Sequence, residues 1–133
     1  MQTKNVIVEK SLNFSVEVIK FCELLDTQKK FVVAKQLLRS GTSIGASVFE
    51  SQHAESNADF IHKMKIAIKE SNETLYWLLI CERSDNYPTN IILRSSAEEL
   101  IRIVSKIIFS SKNKQGKIMC FISTLFTTFL YLK

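Results

Sequence analysis

The sequence predicts an all-α protein, an antiparallel up-down-up-down four-helix bundle with an apolar C-terminal tail. Three glycines and one proline among 133 residues are too few for the frequent turns of an all-β domain of this size. Long stretches rich in Leu, Ile, Lys, Glu, Ala and Ser favour helices instead. Apolar residues recur in these stretches at spacings of three and four, which gives each predicted helix one side suited to a shared core.

Helix 1 is predicted from about Asn5 to Leu25, and Asp26-Thr27 supplies a stop and the next N-cap. We assign its core stripe by helical spacing. The stripe comprises Val8, Leu12, Ser15, Ile19 and Cys22, with Val16 and Leu24 beside them.

Helix 2 is predicted from about Gln28 to Gln52, and its middle consists of small residues that include Gly41 and Gly45. Each glycine costs about 1 kcal/mol of helix propensity relative to alanine, so another interaction should compensate. The two glycines are four residues apart and therefore share one helix face. We interpret that face as the site of close approach by a neighbouring helix. A phosphate-binding loop is the alternative, but the spacing fits neither common glycine-rich motif.

Helix 3 is predicted to begin at a capping box with Ser56 at the N-cap and Asp59 at N3, and to end near Arg83. A turn over residues 84–88 contains the single proline, and helix 4 starts near Thr89 or Asn90. Its apolar positions are Leu93, Ala97, Leu100, Ile101, Val104, Ile107 and Ile108.

The character of the chain changes after Ser110, and we place the bundle in residues 1–112 and a linker and tail in residues 113–133. A polar linker precedes 15 uncharged residues, 118–132. As a helix this segment would span about 23 Å, short of the roughly 30 Å hydrocarbon core of a bilayer. A membrane anchor is therefore the least favoured interpretation. A segment packed on the bundle or in an oligomer, and a poorly ordered tail, are the alternatives.

The net charge of +5 is concentrated at the C-terminal end. Residues 1–110 carry 14 Lys and Arg against 13 Asp and Glu, and the rest comes from Lys112, Lys114, Lys117 and Lys133. The bundle is thus nearly neutral, and a polyanion partner would have to use a local patch.

No catalytic residues, metal ligands or cofactor are predicted. His53 and His62 fall on either side of the turn between helices 2 and 3, without an evident third ligand. Glu70 and Glu73 lack the Glu-x-x-His pattern of di-iron bundles. The three cysteines, Cys22, Cys81 and Cys120, are far apart and odd in number, and no signal peptide is evident. We expect reduced thiols in a cytoplasmic protein.

One polar stripe suggests nucleic-acid binding. Helix 3 places His62, Lys65, Lys69, Asn72 and Tyr76 at spacings of three and four, and helix 2 places Lys35 and Arg39 four apart. Cations beside an aromatic ring and an amide suit a nucleic-acid backbone and its bases. We select Lys35, Arg39, Lys65 and Lys69 as candidate binding residues. The alternative is an ordinary solvated face on which Glu70 and Glu73 act as counter-charges.

Two segments, Gln36–Glu50 and Asp59–Thr74, closely resemble a bacterial four-helix bundle family. That family is named for open reading frames in intervening sequences of 23S rRNA genes. The resemblance extends over about residues 5–112 and leaves the tail outside. It implies the same bundle, association into a ring that is typically a homopentamer, and no catalytic residues. Relatives of this fold include the accessory protein of diversity-generating retroelements, which binds nucleic acid and a reverse transcriptase.

Additional apolar residues near or beyond the core stripes also indicate subunit contacts. These are Phe14, Val18, Phe21, Phe31, Phe49, Trp77 and Ile103. We therefore expect a non-enzymatic, ring-forming homo-oligomer that binds RNA or a nucleoprotein partner through local charge. The alternatives are a structural or protein-partner scaffold without nucleic-acid binding, and an RNA-processing nuclease for which the sequence offers no acid–base pair.

Overall fold

Four α-helices make up the computed structural model, which describes residues 5–132: α1 (Val6–Thr27), α2 (Phe31–Ser51), α3 (Asn57–Arg83) and α4 (Ile91–Tyr131). No strand occurs in this part of the chain. α2 packs between α1 and α3, and α4 packs against both α3 and α1. The predicted four-helix bundle is thus confirmed. The outer limits of the predicted domains, residues 1–4 and 133, lie outside the described residues.

The turn between α1 and α2 differs from the prediction, because α2 begins at Phe31 and not at Gln28. Lys29 adopts a left-handed conformation with φ of 60°, which ends α1. Its amide donates to the carbonyl of Asp26 at 2.9 Å, and the Lys30 amide donates to that of Leu25 at 2.9 Å. This is the Schellman pattern of helix termination, with lysine where glycine is usual.

The small residues of α2 allow α1 to approach closely, as predicted. A Cβ atom added to Gly41 would lie 2.7 Å from a methyl carbon of Val18. One added to Gly45 would lie 3.0 Å from the Ser15 hydroxyl and 3.3 Å from the Ser11 carbonyl oxygen. The glycines therefore offset their poor helix propensity by admitting the neighbouring helix.

The beginnings of α3 and α4 are fixed by side-chain caps, of which only the one at α3 was predicted. The Ser56 hydroxyl accepts a hydrogen bond from the Asp59 amide at 3.1 Å. The Asp59 carboxylate accepts from the Glu55 amide at 3.1 Å, one residue before the usual partner in a capping box. The Asn90 side chain accepts from the Leu93 amide at 2.9 Å, which satisfies an otherwise unpaired donor at the start of α4.

The predicted core face of α1 is only partly confirmed. Cys22 is buried and Val8 packs against the core, but four apolar residues of the prediction are exposed. Leu12, Val16, Ile19 and Leu24 are 42% to 45% exposed. Together with Cys22, six residues outside the predicted stripe line the interior: Ile7, Ser11, Phe14, Val18, Phe21 and Leu25. α1 is apolar on two faces, and spacing alone does not choose between them. The face that meets the glycines of α2 is the one that is buried.

Three of the additional apolar residues that we assigned to subunit contacts are therefore core residues: Phe14, Val18 and Phe21. Trp77 and Ile103 pack against the core while remaining partly exposed. Phe31 and Phe49 are exposed. An apolar surface nevertheless remains along the outer side of the α1–α2 pair. We call it the α1–α2 apolar surface, and it comprises Leu12, Val16, Ile19, Leu38 and Phe49.

The last helix continues where a polar linker was predicted. The Asn57 side-chain amide donates to the Ser111 carbonyl at 3.2 Å, and this contact marks the end of the bundle. α4 then runs on to Tyr131 with every residue from Lys112 exposed. We call residues 112–131 the α4 extension. Gly116 is the one strong helix breaker in the linker sequence, at a cost of about 1 kcal/mol.

Within residues 5–132, none of the helices is both long enough and apolar enough to cross a membrane.

Candidate nucleic-acid interface

Lys65 and Lys69 lie on the solvent side of α3, in one exposed row with Asn72 and Tyr76. The row is positioned by the opposite side of the helix, which is buried in the bundle. The residues on that buried side are Met64, Ala67, Ser71 and Leu78. We call Lys65, Lys69, Asn72 and Tyr76 the α3 basic face. Because a rigid helix carries all four side chains, their spacing is set by the helix and not by a loop.

Among residues 5–132, no carboxylate forms a salt bridge with the lysines of this face. The salt bridges within residues 5–132 involve Lys10, Lys20, Arg39, Lys63 and Arg94. Lys65, Lys69 and Lys35 take part in none of them. Their ammonium groups are therefore available to an anionic partner.

Arg39 differs from the three lysines, because it is held by two carboxylates of α3. Its guanidinium lies 3.3 Å from the Glu70 carboxylate and also pairs with Glu73. The hydrogen bond from Arg39 holds the pKa of Glu73 below its usual value, and the same bond raises the pKa of Arg39. This arrangement matches the alternative interpretation, in which Glu70 and Glu73 are counter-charges, for Arg39. Glu73 also lies close enough to Lys69 for the lysine charge to lower its pKa further, without a salt bridge between them.

Lys35 lies one helical turn before Arg39 on the exposed side of α2. In the helical register, Arg39 falls between Lys35 and the side of α2 that meets α3. The ion pairs of Arg39 with Glu70 and Glu73 therefore lie between Lys35 and the α3 basic face. The structure brings Lys65 and Lys69 together and leaves Lys35 apart from them.

Two further cations were missed in the sequence. Arg102 and Lys106 lie one turn apart on the exposed side of α4, the neighbour of α3 in the bundle. Neither takes part in the salt bridges of the described residues. The signal that could have identified them is their spacing of four residues, on the side of the helix opposite the core positions Leu100 and Val104.

Tyr76 provides an exposed aromatic ring at one end of the α3 basic face. It is 55% exposed and packs edge-on against Trp77, with ring centroids 5.2 Å apart. Trp77 is partly buried against the core. The contact holds the tyrosine ring in place while leaving one side open for stacking by a base.

His53 and His62 are both exposed. Among the residues that the structure describes, no three His, Cys, Asp or Glu side chains cluster in a way that could hold a metal ion. Cys22 and Cys81 are buried and Cys120 is exposed, and all three are free thiols.

These features define an all-α bundle with two distinct outer surfaces, the α3 basic face with its exposed aromatic ring and the α1–α2 apolar surface. The chain belongs to the 23S rRNA-intervening sequence protein family, whose model matches residues 3–109. The whole α4 extension, residues 112–131, lies beyond that match.

A solved structure gives the same fold. It is a protein of unknown function from the S23 ribosomal protein family of Bacteroides thetaiotaomicron, 41% identical in sequence, with a TM-score of 0.73. The similarity covers 77% of this chain and 97% of that one. No curated protein matches the chain.

Proposed function

We propose that this protein is a non-enzymatic, cytoplasmic, ring-forming bundle that binds RNA, alone or within a nucleoprotein, through the α3 basic face. The observation that carries the proposal is the pair of unpaired cations, Lys65 and Lys69, in one row with the exposed ring of Tyr76. Phosphate groups would contact the lysines, and an unpaired base would stack on the tyrosine. Arg102 and Lys106 would extend the positive surface onto α4.

The near-neutral charge of residues 1–110 leads us to expect weak binding that depends on this local surface.

The ring is supported by the α1–α2 apolar surface. Its five large side chains are each at least 40% exposed, which is more than a monomer needs to leave uncovered at one place. Contacts between subunits would bury it. A homopentamer is the assembly that the family resemblance implies.

Fluorescence anisotropy with a labelled single-stranded RNA tests the proposed ligand. Replacing both lysines, Lys65→Glu and Lys69→Glu, should weaken binding by about tenfold or more and reduce the slope of log affinity against log salt by about 1.4. A matched control, Lys20→Glu with Lys29→Glu, makes the same change of charge on α1 and its turn. Lys20 forms an exposed salt bridge with Glu17, whose loss should cost little stability.

If the two double variants lose affinity equally, binding depends on net charge and not on the α3 basic face. Unchanged affinity in the Lys65 and Lys69 variant would contradict the proposal.

The α1–α2 apolar surface also favours a second function, a scaffold that binds proteins and no nucleic acid. Size-exclusion chromatography with light scattering, recorded at 260 and 280 nm, distinguishes the two. A discrete oligomer whose excess absorbance at 260 nm disappears in high salt would support the ring and RNA binding. A discrete oligomer free of nucleic acid would favour the scaffold, and a monomer would contradict the ring.

A further inference from the structure

The α4 extension is a helix with two distinct sides. On one side, Ile118, Ile122, Leu125, Phe129 and Leu132 follow one another at spacings of four and three. The same spacing leads back through Gln115 and Ser111 to Ile108 and the core stripe of α4. The apolar side of α4 thus continues beyond the bundle, where the other described helices no longer cover it. All five side chains are more than half exposed.

The other side of the extension carries hydroxyl groups and no charge. Thr124 donates to the Cys120 carbonyl at 2.8 Å, Thr127 to the Ser123 carbonyl at 2.9 Å, and Thr128 to the Thr124 carbonyl at 2.8 Å. Each of these hydroxyl protons is therefore satisfied within the helix. Pairing these three donors within the helix lowers the cost of desolvating this side.

The charge around this segment has one sign. The last acidic residue of the sequence is Glu99, and Lys112, Lys114 and Lys117 lie immediately before the apolar segment. In the helical register these three lysines point to different sides of α4. They form a basic collar at the end of the extension nearest the bundle, which complements an anionic surface from any rotation of the helix.

We propose that the α4 extension binds the surface of a lipid bilayer that contains anionic lipids. Ile118, Ile122, Leu125 and Phe129 enter the boundary between headgroups and acyl chains, and Lys112, Lys114 and Lys117 contact the headgroups. The apolar segment is about 23 Å long, so it lies within the interface and one leaflet and does not span the roughly 30 Å core. Amphipathic helices with lysines and phenylalanines bind membranes in this manner.

A second copy of the same segment is a poorer occupant of the apolar side. Two extensions side by side in a parallel arrangement would bring their basic collars together, and the sequence after Glu99 supplies no acid to offset them. The charge complementarity therefore favours anionic lipid over parallel self-association.

Vesicle co-sedimentation of the full chain tests the proposal. Vesicles of phosphatidylserine and phosphatidylcholine at about a 3:7 ratio should retain the protein at about 50 mM salt, and pure phosphatidylcholine should retain about tenfold less. Replacing the collar with Lys112→Gln, Lys114→Gln and Lys117→Gln should abolish that preference. Equal retention on both vesicles by the unaltered chain would overturn the proposal.

Two matched variants locate the contact on one side of the helix. Leu125→Asp with Phe129→Asp should reduce retention by about tenfold or more, whereas Thr124→Asp with Thr127→Asp makes the same charge change on the opposite side and should retain most of it. All four substituted residues are exposed, so the bundle should have the same melting temperature in the two double variants. Equal losses of vesicle retention in the two variants would overturn the assignment of the contact to the apolar side. A fall in oligomer mass confined to the Leu125 and Phe129 variant would also overturn it, because the apolar side would then be a subunit contact.

A fluorescent reporter gives a second measurement. The one tryptophan, Trp77, lies in the bundle, so Phe126→Trp adds a second indole whose signal is obtained by subtracting the spectrum of the unaltered chain. Its emission should shift to the blue with phosphatidylserine vesicles. An unshifted spectrum would mean that the extension does not enter the bilayer.

Discussion

Val18 of α1 lies directly against the backbone of Gly41 in α2. A Cβ atom at Gly41 would lie 2.7 and 2.8 Å from the two Val18 methyl carbons and 3.2 Å from the Val18 Cβ. Val18 is fully buried, and its branched side chain has few rotamers by which to move away. The distance between α1 and α2 is therefore set by the absence of a side chain at one position.

Substitution of Gly41→Ala should destabilise the bundle. Alanine improves helix propensity by about 1 kcal/mol, but overpacking a filled core costs about 1–3 kcal/mol. We therefore expect a net loss of about 1 kcal/mol, and at most about 2 kcal/mol, in the free energy of unfolding. Urea denaturation measures it. Adding Val18→Ala should recover part of the loss, and Gly116→Ala, whose new Cβ would meet nothing within 4 Å, is the control. An unchanged or raised stability of Gly41→Ala would contradict the close contact.

Lys29→Gly should stabilise the protein. Lys29 has a φ of 60°, and the left-handed conformation costs a residue with a Cβ roughly 1–2 kcal/mol. Glycine avoids that cost but loses more entropy on folding, so the expected gain in unfolding free energy is about 0.5–1 kcal/mol. Asn86→Gly, at a φ of 61°, should gain less because asparagine tolerates this conformation. Thermal or urea denaturation of the two variants tests the difference.

The three thiols should react at very different rates. Burial, with smaller contributions from Asp26 and Cys81, raises the pKa of Cys22 to about 12, and burial also raises the pKa of Cys81. The thiolate is the reactive form. At pH 8, a disulfide reagent such as Ellman's should modify the exposed Cys120 quickly and the other two thiols only after denaturation. Rapid release of three equivalents from the folded protein would contradict the burial.

The stability of the fold should fall at alkaline pH because of Cys22. Its unfolded form loses a proton near the ordinary value of 9.0, whereas the folded form keeps it to about 12. The unfolded state therefore binds fewer protons between these values, and the free energy of unfolding decreases as pH rises through this window. The contribution of Cys22 is isolated by comparison with Cys22→Ala at each pH. That variant should show a shallower decline, and an identical decline would show that Cys22 contributes nothing.

Release of Arg39 from its carboxylates should strengthen RNA binding. Glu70→Gln with Glu73→Gln removes both partners of the guanidinium and leaves its charge available beside the α3 basic face. We expect affinity to rise severalfold, with a steeper salt dependence. Glu9→Gln with Glu23→Gln, on the exposed side of α1, changes the net charge equally and should have less effect. An equal effect of the two pairs would indicate a response to overall charge alone.

The parts of the fold that could be predicted from the sequence depend on local chemistry. Ser56 caps α3, and the beginning of that helix was predicted correctly from it. The beginning of α4 was predicted only as near Thr89 or Asn90, after the turn over residues 84–88, and the structure adds that Asn90 caps it. The close approach at Gly41 followed from the low helix propensity of glycine, which required a compensating contact. The end of α1 was harder, because Lys29 is not the residue that its conformation favours.

The errors arose where a choice depended on the neighbouring helix. α1 has two apolar sides. Contact with α2 determines which of them is buried, and the spacing of residues within α1 does not reveal that contact. The pairing of Arg39 with Glu70 and Glu73 joins two helices and was visible in the sequence only as an alternative. Lys65 and Lys69 were identified correctly as neighbours because they lie on one helix.

The length of α4 affects how the molecule behaves in solution. Its 41 residues make a rod about 62 Å long. A compact chain of this size has a radius of gyration near 14 Å, so the rod is longer than such a chain is wide. A single subunit is thus strongly asymmetric, and it should diffuse more slowly and leave a size-exclusion column ahead of a spherical protein of equal mass. Elution volume alone would imitate a small oligomer, and X-ray scattering from a true monomer should show a maximum dimension of at least that rod.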